Sequence, residues 1–176
     1  MNNNKKNIVI NCSNLYQGGG VIVASSFIDS LSKKVYKEFN IYLLLSESVS
    51  KNIQKSNINF SKFKDVKIIN NFGLSMFFFN YFKHFKEIDI VFSIFGPTFN
   101  LRQRYKHIIG LADPYIIYKD NHYLNKIADI KFKLKTKLLY FIKKKFLFNA
   151  DGFIVELQRV KDELINKPGF KNKDIY

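Results

Sequence analysis

Residues 6–20 read KNIVINCSNLYQGGG and set the architecture of the chain. The run of β-branched residues predicts a buried strand over Lys5–Asn11 that continues through Cys12. The triple glycine Gly18–Gly20 follows it, and apolar residues at three- and four-residue intervals predict a helix from Gly20 to Tyr36. The stretch is therefore a strand, a glycine-rich turn and the start of a helix.

The same alternation continues along the 176 residues. Further strands are predicted at Phe39–Leu45, Val66–Ile69, Ile88–Phe95, His107–Leu111 and Gly152–Val155, with a last one opening at Lys173–Tyr176. Helices are predicted at Val49–Lys55, Leu74–Phe85, Tyr123–Asn149 and Val160–Asn166. Strands that are apolar throughout are typical of a parallel sheet covered on both faces. The predicted fold is one α/β domain, residues 1–176, with a mostly parallel sheet.

The composition excludes several classes of protein. The net charge is +15 and the chain has a single cysteine, Cys12, so an internal disulfide and a Cys-based zinc cluster are excluded and a reducing compartment is expected. The three histidines lack metal-ligand spacing, and no metal is predicted. His107 begins its predicted strand and is expected at the edge of the sheet opposite a ligand. The most apolar stretch, Leu74–Phe82, is too short to cross a bilayer.

The candidate site residues follow three predicted strands, because parallel sheets bind ligands outside the carboxyl ends of their strands. Gly18, Gly19 and Gly20 follow the first strand, where backbone amides at a helix start suit a phosphate or a sugar. The alternative is a tight turn without a ligand. Neither a dinucleotide fingerprint nor a P-loop is present. The fourth strand ends at Gly96 and Pro97.

Asp113 follows the fifth strand. Its carboxylate is a candidate to accept a proton from a hydroxyl group or to hydrogen-bond a sugar. The alternative is a structural role at the start of an Asp-Pro turn.

A basic segment, residues 119–145, holds nine lysines against two aspartates, a local charge of +7. Four of the lysines share one predicted helical ridge: Lys126, Lys133, Lys137 and Lys144. Next to it runs an apolar ridge of Ile127, Ile130, Leu134, Leu138 and Phe141. The pattern predicts either a helix on an anionic membrane surface or a core-packed helix with a solvated lysine face. Nucleic acid is not an expected partner, because arginines are few and no nucleic-acid-binding motif is present.

Four segments together resemble one family: INCSNLYQGGG with its helix, DIVFSIFGPTF, HIIGLADPYIIY and ADGFIVELQRVKDEL. They are similar to the N-terminal half of GT-B glycosyltransferases of group 1, also called family 4, especially bacterial surface-polysaccharide enzymes of O-antigen and capsule synthesis. The resemblance implies a Rossmann-like three-layer sandwich. In such enzymes the N-terminal domain mainly holds the acceptor, and a second domain holds the nucleotide-sugar.

The resemblance implies a transferase that moves a sugar from a nucleotide-diphosphate sugar to a polysaccharide or lipid-linked acceptor. Gly18–Gly20 would contact phosphate or acceptor, and Asp113 lies where relatives carry a catalytic His or Asp. No cofactor is implied, the nucleotide-sugar being the donor substrate. We expect the C-terminal donor domain to be absent from these residues, so the chain alone is expected to be inactive.

Two expectations concern location and an alternative function. The basic helix places the domain in the cytoplasm, at the inner face of the cytoplasmic membrane. The alternative to a transferase half is a stand-alone basic α/β module that binds an anionic membrane surface or nucleic acid.

Overall fold

The structure is a computed structural model that describes residues 5–34, 36–56, 58–71, 85, 87–98, 104–117 and 130–176. In these residues seven parallel strands form one sheet in the order β3-β2-β1-β4-β5-β6-β7. The strands are β1 (Lys6–Cys12), β2 (Phe39–Leu45), β3 (Asp65–Ile68), β4 (Ile90–Ser93), β5 (Lys106–Gly110), β6 (Gly152–Ile154) and β7 (Asp174–Ile175). The helices are α1 (Gly19–Ser32), α2 (Glu47–Ile53), α3 (Pro114–Ile117), α4 (Ile130–Phe148) and α5 (Gln158–Ile165), with a 3-10 turn at Phe60–Lys62.

The predicted α/β fold with a parallel sheet is confirmed, and the described sheet is parallel throughout. Its first six strands follow the order of the doubly wound Rossmann sheet, with β7 added beyond β6. The predicted bounds of β2 agree with the structure, and the short final strand forms where it was predicted. The architecture is a Rossmann-like three-layer sandwich.

The helix after the glycines ends earlier than the sequence predicts, at Ser32 and not at Tyr36. Tyr36 and Phe39 both pack against the core cluster beneath α1. The chain has to leave the helical path before Tyr36 because it must return to the sheet by Phe39, where β2 begins.

Two predicted helices fall wholly or partly outside the described residues. Of Leu74–Phe85 only Phe85 is described, and its ring lies edge-on against Tyr42 with centroids 5.4 Å apart. Of Tyr123–Asn149 the structure describes a helix from Ile130 to Phe148.

The two faces of the sheet carry different cores because side chains alternate along a strand. Ile10 and Cys12 of β1 belong to the cluster covered by α1 and α2. Val9, on the opposite face, packs with Leu44 and Val91. A further cluster forms where α4 and α5 meet β5, β6 and β7, around Phe153. Among the described helices, α1 and α2 cover one face of the sheet, and α4 and α5 pack on the other face at β5, β6 and β7. The carboxyl edge of the strands is left as the place for a site.

Candidate functional site

The order of the sheet reverses between β1 and β4. At such a point a doubly wound fold is expected to form a crevice outside the carboxyl ends of the two strands, where these folds bind ligands. The two loops that border the crevice are tied together, since Asn14 Nδ2 donates a hydrogen bond to the Phe95 carbonyl over 2.6 Å. Gly96 has a φ of +79°, and a Cβ there would lie 3.1 Å from Asn14 Nδ2. Both facts favour glycine at this position, and Pro97 continues the loop.

The three glycines after β1 lie at the start of α1, as predicted, and have different environments. Gly18 precedes the helix with a φ of +74°, and no side chain caps the helix start. A Cβ on Gly18 or Gly19 would meet no atom within 4 Å, whereas one on Gly20 would lie 3.3 Å from Leu15 and 3.4 Å from Phe95. Gly20 therefore serves packing, while Gly18 and Gly19 leave an open backbone surface beside a helix N-terminus.

A buried chain of polar side chains runs across the sheet below the crevice. Asn11 Oδ1 accepts from the Ser13 hydroxyl over 2.7 Å, and Asn11 Nδ2 donates to Ser93 Oγ over 3.1 Å. His107 Nε2 lies 3.1 Å from Ser93 Oγ, and His107 Nδ1 lies 3.4 Å from Thr98 Oγ1. All five residues are at most 2% exposed. This chain joins the ends of β1 and β4 to β5 and fixes the floor of the crevice.

His107 is the second residue of β5, so its backbone lies toward the amino end of the strand, as predicted. Its imidazole nevertheless reaches Ser93, the last residue of β4, which was not predicted from the sequence. The physical reason is that Ser93 and His107 point to the same face of neighbouring parallel strands, where a diagonal neighbour is within reach of a long side chain. A signal was available in the sequence: Asn11 and Ser93 are polar residues at the ends of otherwise apolar strands.

Burial lowers the pKa of His107 to about 4, against a smaller opposing effect of Asp151, whose carboxylate accepts from the His107 backbone amide over 2.7 Å. The imidazole is therefore neutral at pH 7, with one N–H donor and one acceptor nitrogen. Burial also raises the pKa of the Cys12 thiol. Neither group is accessible to a substrate. His107 supports the site from below, and Cys12 belongs to the core under α1.

Asp113 lies three residues beyond β5, at the same edge of the sheet as the crevice. Its carboxylate pairs with Lys143 Nζ of α4 at 2.5 Å, and the Tyr140 hydroxyl lies 3.5 Å away. The backbone carbonyl of Asp113 accepts from Ile116 and Ile117 at 3.1 Å each, which starts α3. The backbone carbonyl of Asp113 therefore accepts the hydrogen bonds of the turn. The Asp113 side chain is 16% exposed, and its carboxylate is paired with Lys143.

Two buried amide oxygens at this edge lack a hydrogen-bond partner among the described residues, Asn14 Oδ1 and Asn71 Oδ1. Asn71 follows β3, and its backbone amide donates to the Ser13 carbonyl over 2.8 Å. Buried polar atoms are normally paired, with protein or with ordered water. Two unpaired acceptors beside the loop after β1 mark it as a place for a donor group.

The four predicted surface lysines have different outcomes. Lys126 lies outside the described residues, the side chains of Lys133 and Lys137 are not described, and Lys144 is exposed on α4. Three apolar side chains of the same helix are also exposed: Leu138 by 61%, Leu139 by 50% and Phe141 by 61%. The helix packs on the core through Leu147. The predicted apolar ridge therefore faces outward at Leu138 and Phe141, which differs from a core-packed helix with only a lysine face outside.

No family model, curated protein or solved structure matches the chain. Among the described helices none has the length and apolar character needed to cross a bilayer. Within the same residues, no group of three or more His, Cys, Asp or Glu side chains is placed to hold a metal ion.

Proposed function

We propose that this chain is the acceptor-binding half of a glycosyltransferase that moves a sugar from a nucleotide-diphosphate sugar to a polysaccharide or lipid-linked acceptor. One observation carries the proposal: a doubly wound sheet brings the open glycine backbone, the Gly96-Pro97 turn and Asp113 to one carboxyl edge. These segments also carry the resemblance to GT-B enzymes in the sequence. A second domain, holding the nucleotide-sugar, would close over this edge.

The roles of the residues follow from their chemistry. The amides of Gly19 and Gly20 would offset negative charge on the leaving diphosphate, as donors at a helix start do. Asp113 would accept a hydrogen bond from the acceptor hydroxyl and orient it toward the donor sugar. The ammonium of Lys143, 2.5 Å from Asp113, keeps that carboxylate fixed in place.

The Asp113→Asn variant tests this assignment by acceptor binding, which needs no second domain. We expect the chain to bind a subset of immobilised bacterial surface saccharides and the variant to bind them about tenfold more weakly, because it loses a charged hydrogen-bond acceptor. Asp65→Asn is the matched control, since it also removes a carboxylate near a lysine, 3.7 Å from Lys67. Equal binding by both variants, or no saccharide bound at all, contradicts the proposal.

The reading frame that follows Tyr176 gives an independent genetic test. In the family that the chain resembles, the second domain carries a basic Arg/Lys pair and a Glu-x7-Glu element as its donor machinery, so a frame that encodes these elements supports the transferase. A frame without such a domain favours the stand-alone binding module.

We also propose that α4 holds the domain on an anionic membrane surface. The support is the outward face of the helix, where Leu138, Leu139 and Phe141 are exposed beside Lys144 and Lys145. The Lys145 ammonium lies 5.3 Å from the Phe141 ring centre. Apolar side chains with lysines among them suit the boundary between acyl chains and anionic headgroups.

Vesicle flotation tests the membrane proposal. The chain is expected to float with vesicles that contain anionic lipid and to stay in solution with neutral ones. Leu138→Gln with Phe141→Gln should lower the bound fraction several-fold. Each Å² of apolar surface that enters the membrane contributes about 25 cal/mol to the binding free energy, and the variant loses the apolar surface of both side chains. Leu157→Gln with Ile165→Gln is the control, since both residues are exposed apolar residues outside α4. Equal losses in the two pairs, or flotation with neutral vesicles, would refute the role of α4.

A further inference from the structure

A groove of about 320 Å³ lies between the loop after β1, the first turns of α1 and the helix α2. It shares Gly18 and the loop after β1 with the crevice between β1 and β4, but none of its lining residues comes from β4 or β5, so it lies beside that crevice, on the side of α2. Its volume falls within the range of small-molecule sites in proteins. The proposed transferase role makes no use of it.

The charge of the groove has one sign. Lys51 and Lys55 are its charged lining residues, both exposed, and neither forms an ion pair with a described residue. Lys51 lies in the last turn of α2 and Lys55 lies two residues beyond its end, so two like charges, which repel each other, line one groove. An anion between them would remove that repulsion and gain two charge-assisted hydrogen bonds.

The remaining walls suit a ligand with an anionic and an apolar part. Ser48 lines the groove, and its hydroxyl donates to the Tyr16 carbonyl over 2.8 Å, which holds the loop after β1 to α2. Gly18 also lines the groove, and a Cβ at this position would meet no atom within 4 Å. Tyr16 and Ile22, 52% and 63% exposed, supply apolar surface at the opening.

We propose that this groove binds a phosphate-bearing molecule, with Lys51 and Lys55 pairing with a phosphate or diphosphate group and Tyr16 contacting the part attached to it. The assignment does not depend on sugar transfer. The same chemistry occurs in a soluble phosphate ester and in a lipid headgroup.

The test is a titration of the chain with inorganic pyrophosphate, followed by amide chemical shifts. We expect the largest changes within residues 16–18 and 47–55, with saturation, whereas changes confined to Gly19 and Gly20 would overturn the groove as the site. Lys51→Gln with Lys55→Gln should weaken binding about tenfold. Lys37→Gln with Lys171→Gln removes two exposed lysines elsewhere and should change affinity less than twofold. Lys51→Arg with Lys55→Arg keeps the charges and should retain binding, which separates loss of the site from loss of the fold.

Further arms distinguish the sources of the phosphate and the two proposals. Flotation with phosphatidic acid vesicles that depends on Lys51 and Lys55 assigns a lipid headgroup, and pyrophosphate binding without such flotation assigns a soluble ester. Equal weakening by both glutamine pairs, or shifts spread over the surface lysines, would overturn the groove as a site. The groove proposal fails when pyrophosphate binding does not depend on Lys51 and Lys55, whereas the transferase proposal fails on saccharide binding by Asp113→Asn, so the two failures are distinguishable.

Discussion

Replacing Gly110 with alanine is expected to lower the free energy of unfolding by about 3 kcal/mol or to prevent folding. Gly110 ends β5 beside the loop after β4, and a Cβ there would lie 1.8 Å from the carbonyl oxygen of Ile94 and 2.9 Å from its carbonyl carbon. Both atoms are backbone, so no side-chain rotation relieves the contact. The Gly110 carbonyl also accepts from the Gly96 amide at 3.4 Å, so any shift would move the loop that borders the crevice.

Gly19→Ala is the matched control for this prediction. Gly19 lies in the first turn of α1, and a Cβ there meets no atom within 4 Å. Alanine is the better helix former, so this variant should be unchanged or more stable by up to about 1 kcal/mol. Urea unfolding of both variants measures the contrast. A Gly110→Ala variant as stable as the parent would mean that the loop after β4 moves away from β5 without cost.

The second expected result is a loss of stability in mild acid that depends on His107. The pKa of His107 is about 4 in the folded chain and about 6.5 for an ordinary histidine. Between these values the unfolded chain binds a proton that the folded chain does not, so stability falls as the pH falls. Each pH unit in this window contributes about 1.4 kcal/mol, and the loss from pH 6.5 to pH 4 is about 3 kcal/mol. Above pH 6.5 this contribution is fully present.

His107→Gln isolates that contribution, because every carboxylate of the chain is present in both proteins. The variant should be less stable at pH 7, since Ser93 and Thr98 lose a buried partner, but its stability should change by about 3 kcal/mol less between pH 7 and pH 4. NMR titration of His107 in the folded parent is an independent measurement. Parallel stability curves, or a His107 that titrates near pH 6.5, would contradict the assignment.

The sequence predicted what depends on local pattern, and missed what depends on how distant segments meet. The apolar run Phe39–Leu45 has the same bounds in the structure, because a run of mostly apolar residues by itself predicts a strand covered on both faces. The bond between Asn11 and Ser93 joins residues 82 positions apart and exists only because β4 returns beside β1. No spacing rule identifies such a pair.

The candidate site divides in the same way. The glycines after β1 could be placed at a helix start from their order in the chain, and the structure locates them there. The partner of Asp113 could not be predicted from the sequence, because Lys143 is one of nine lysines in its segment and only the packing of α4 brings it to Asp113. Which side of α4 faces outward was equally hidden, since its apolar residues are not confined to one face.

The strand β3 is an edge strand of the described sheet, and its composition affects self-association. It has only four residues, and two of them are charged, Asp65 and Lys67, 44% and 34% exposed at the side chain. Short, charged edge strands discourage another chain from pairing a strand with their unpaired backbone N–H and C=O groups. The protein has 19 phenylalanines and a net charge of +15. Such an edge strand and the repulsion between like-charged copies both favour separate molecules over association through the sheet edge.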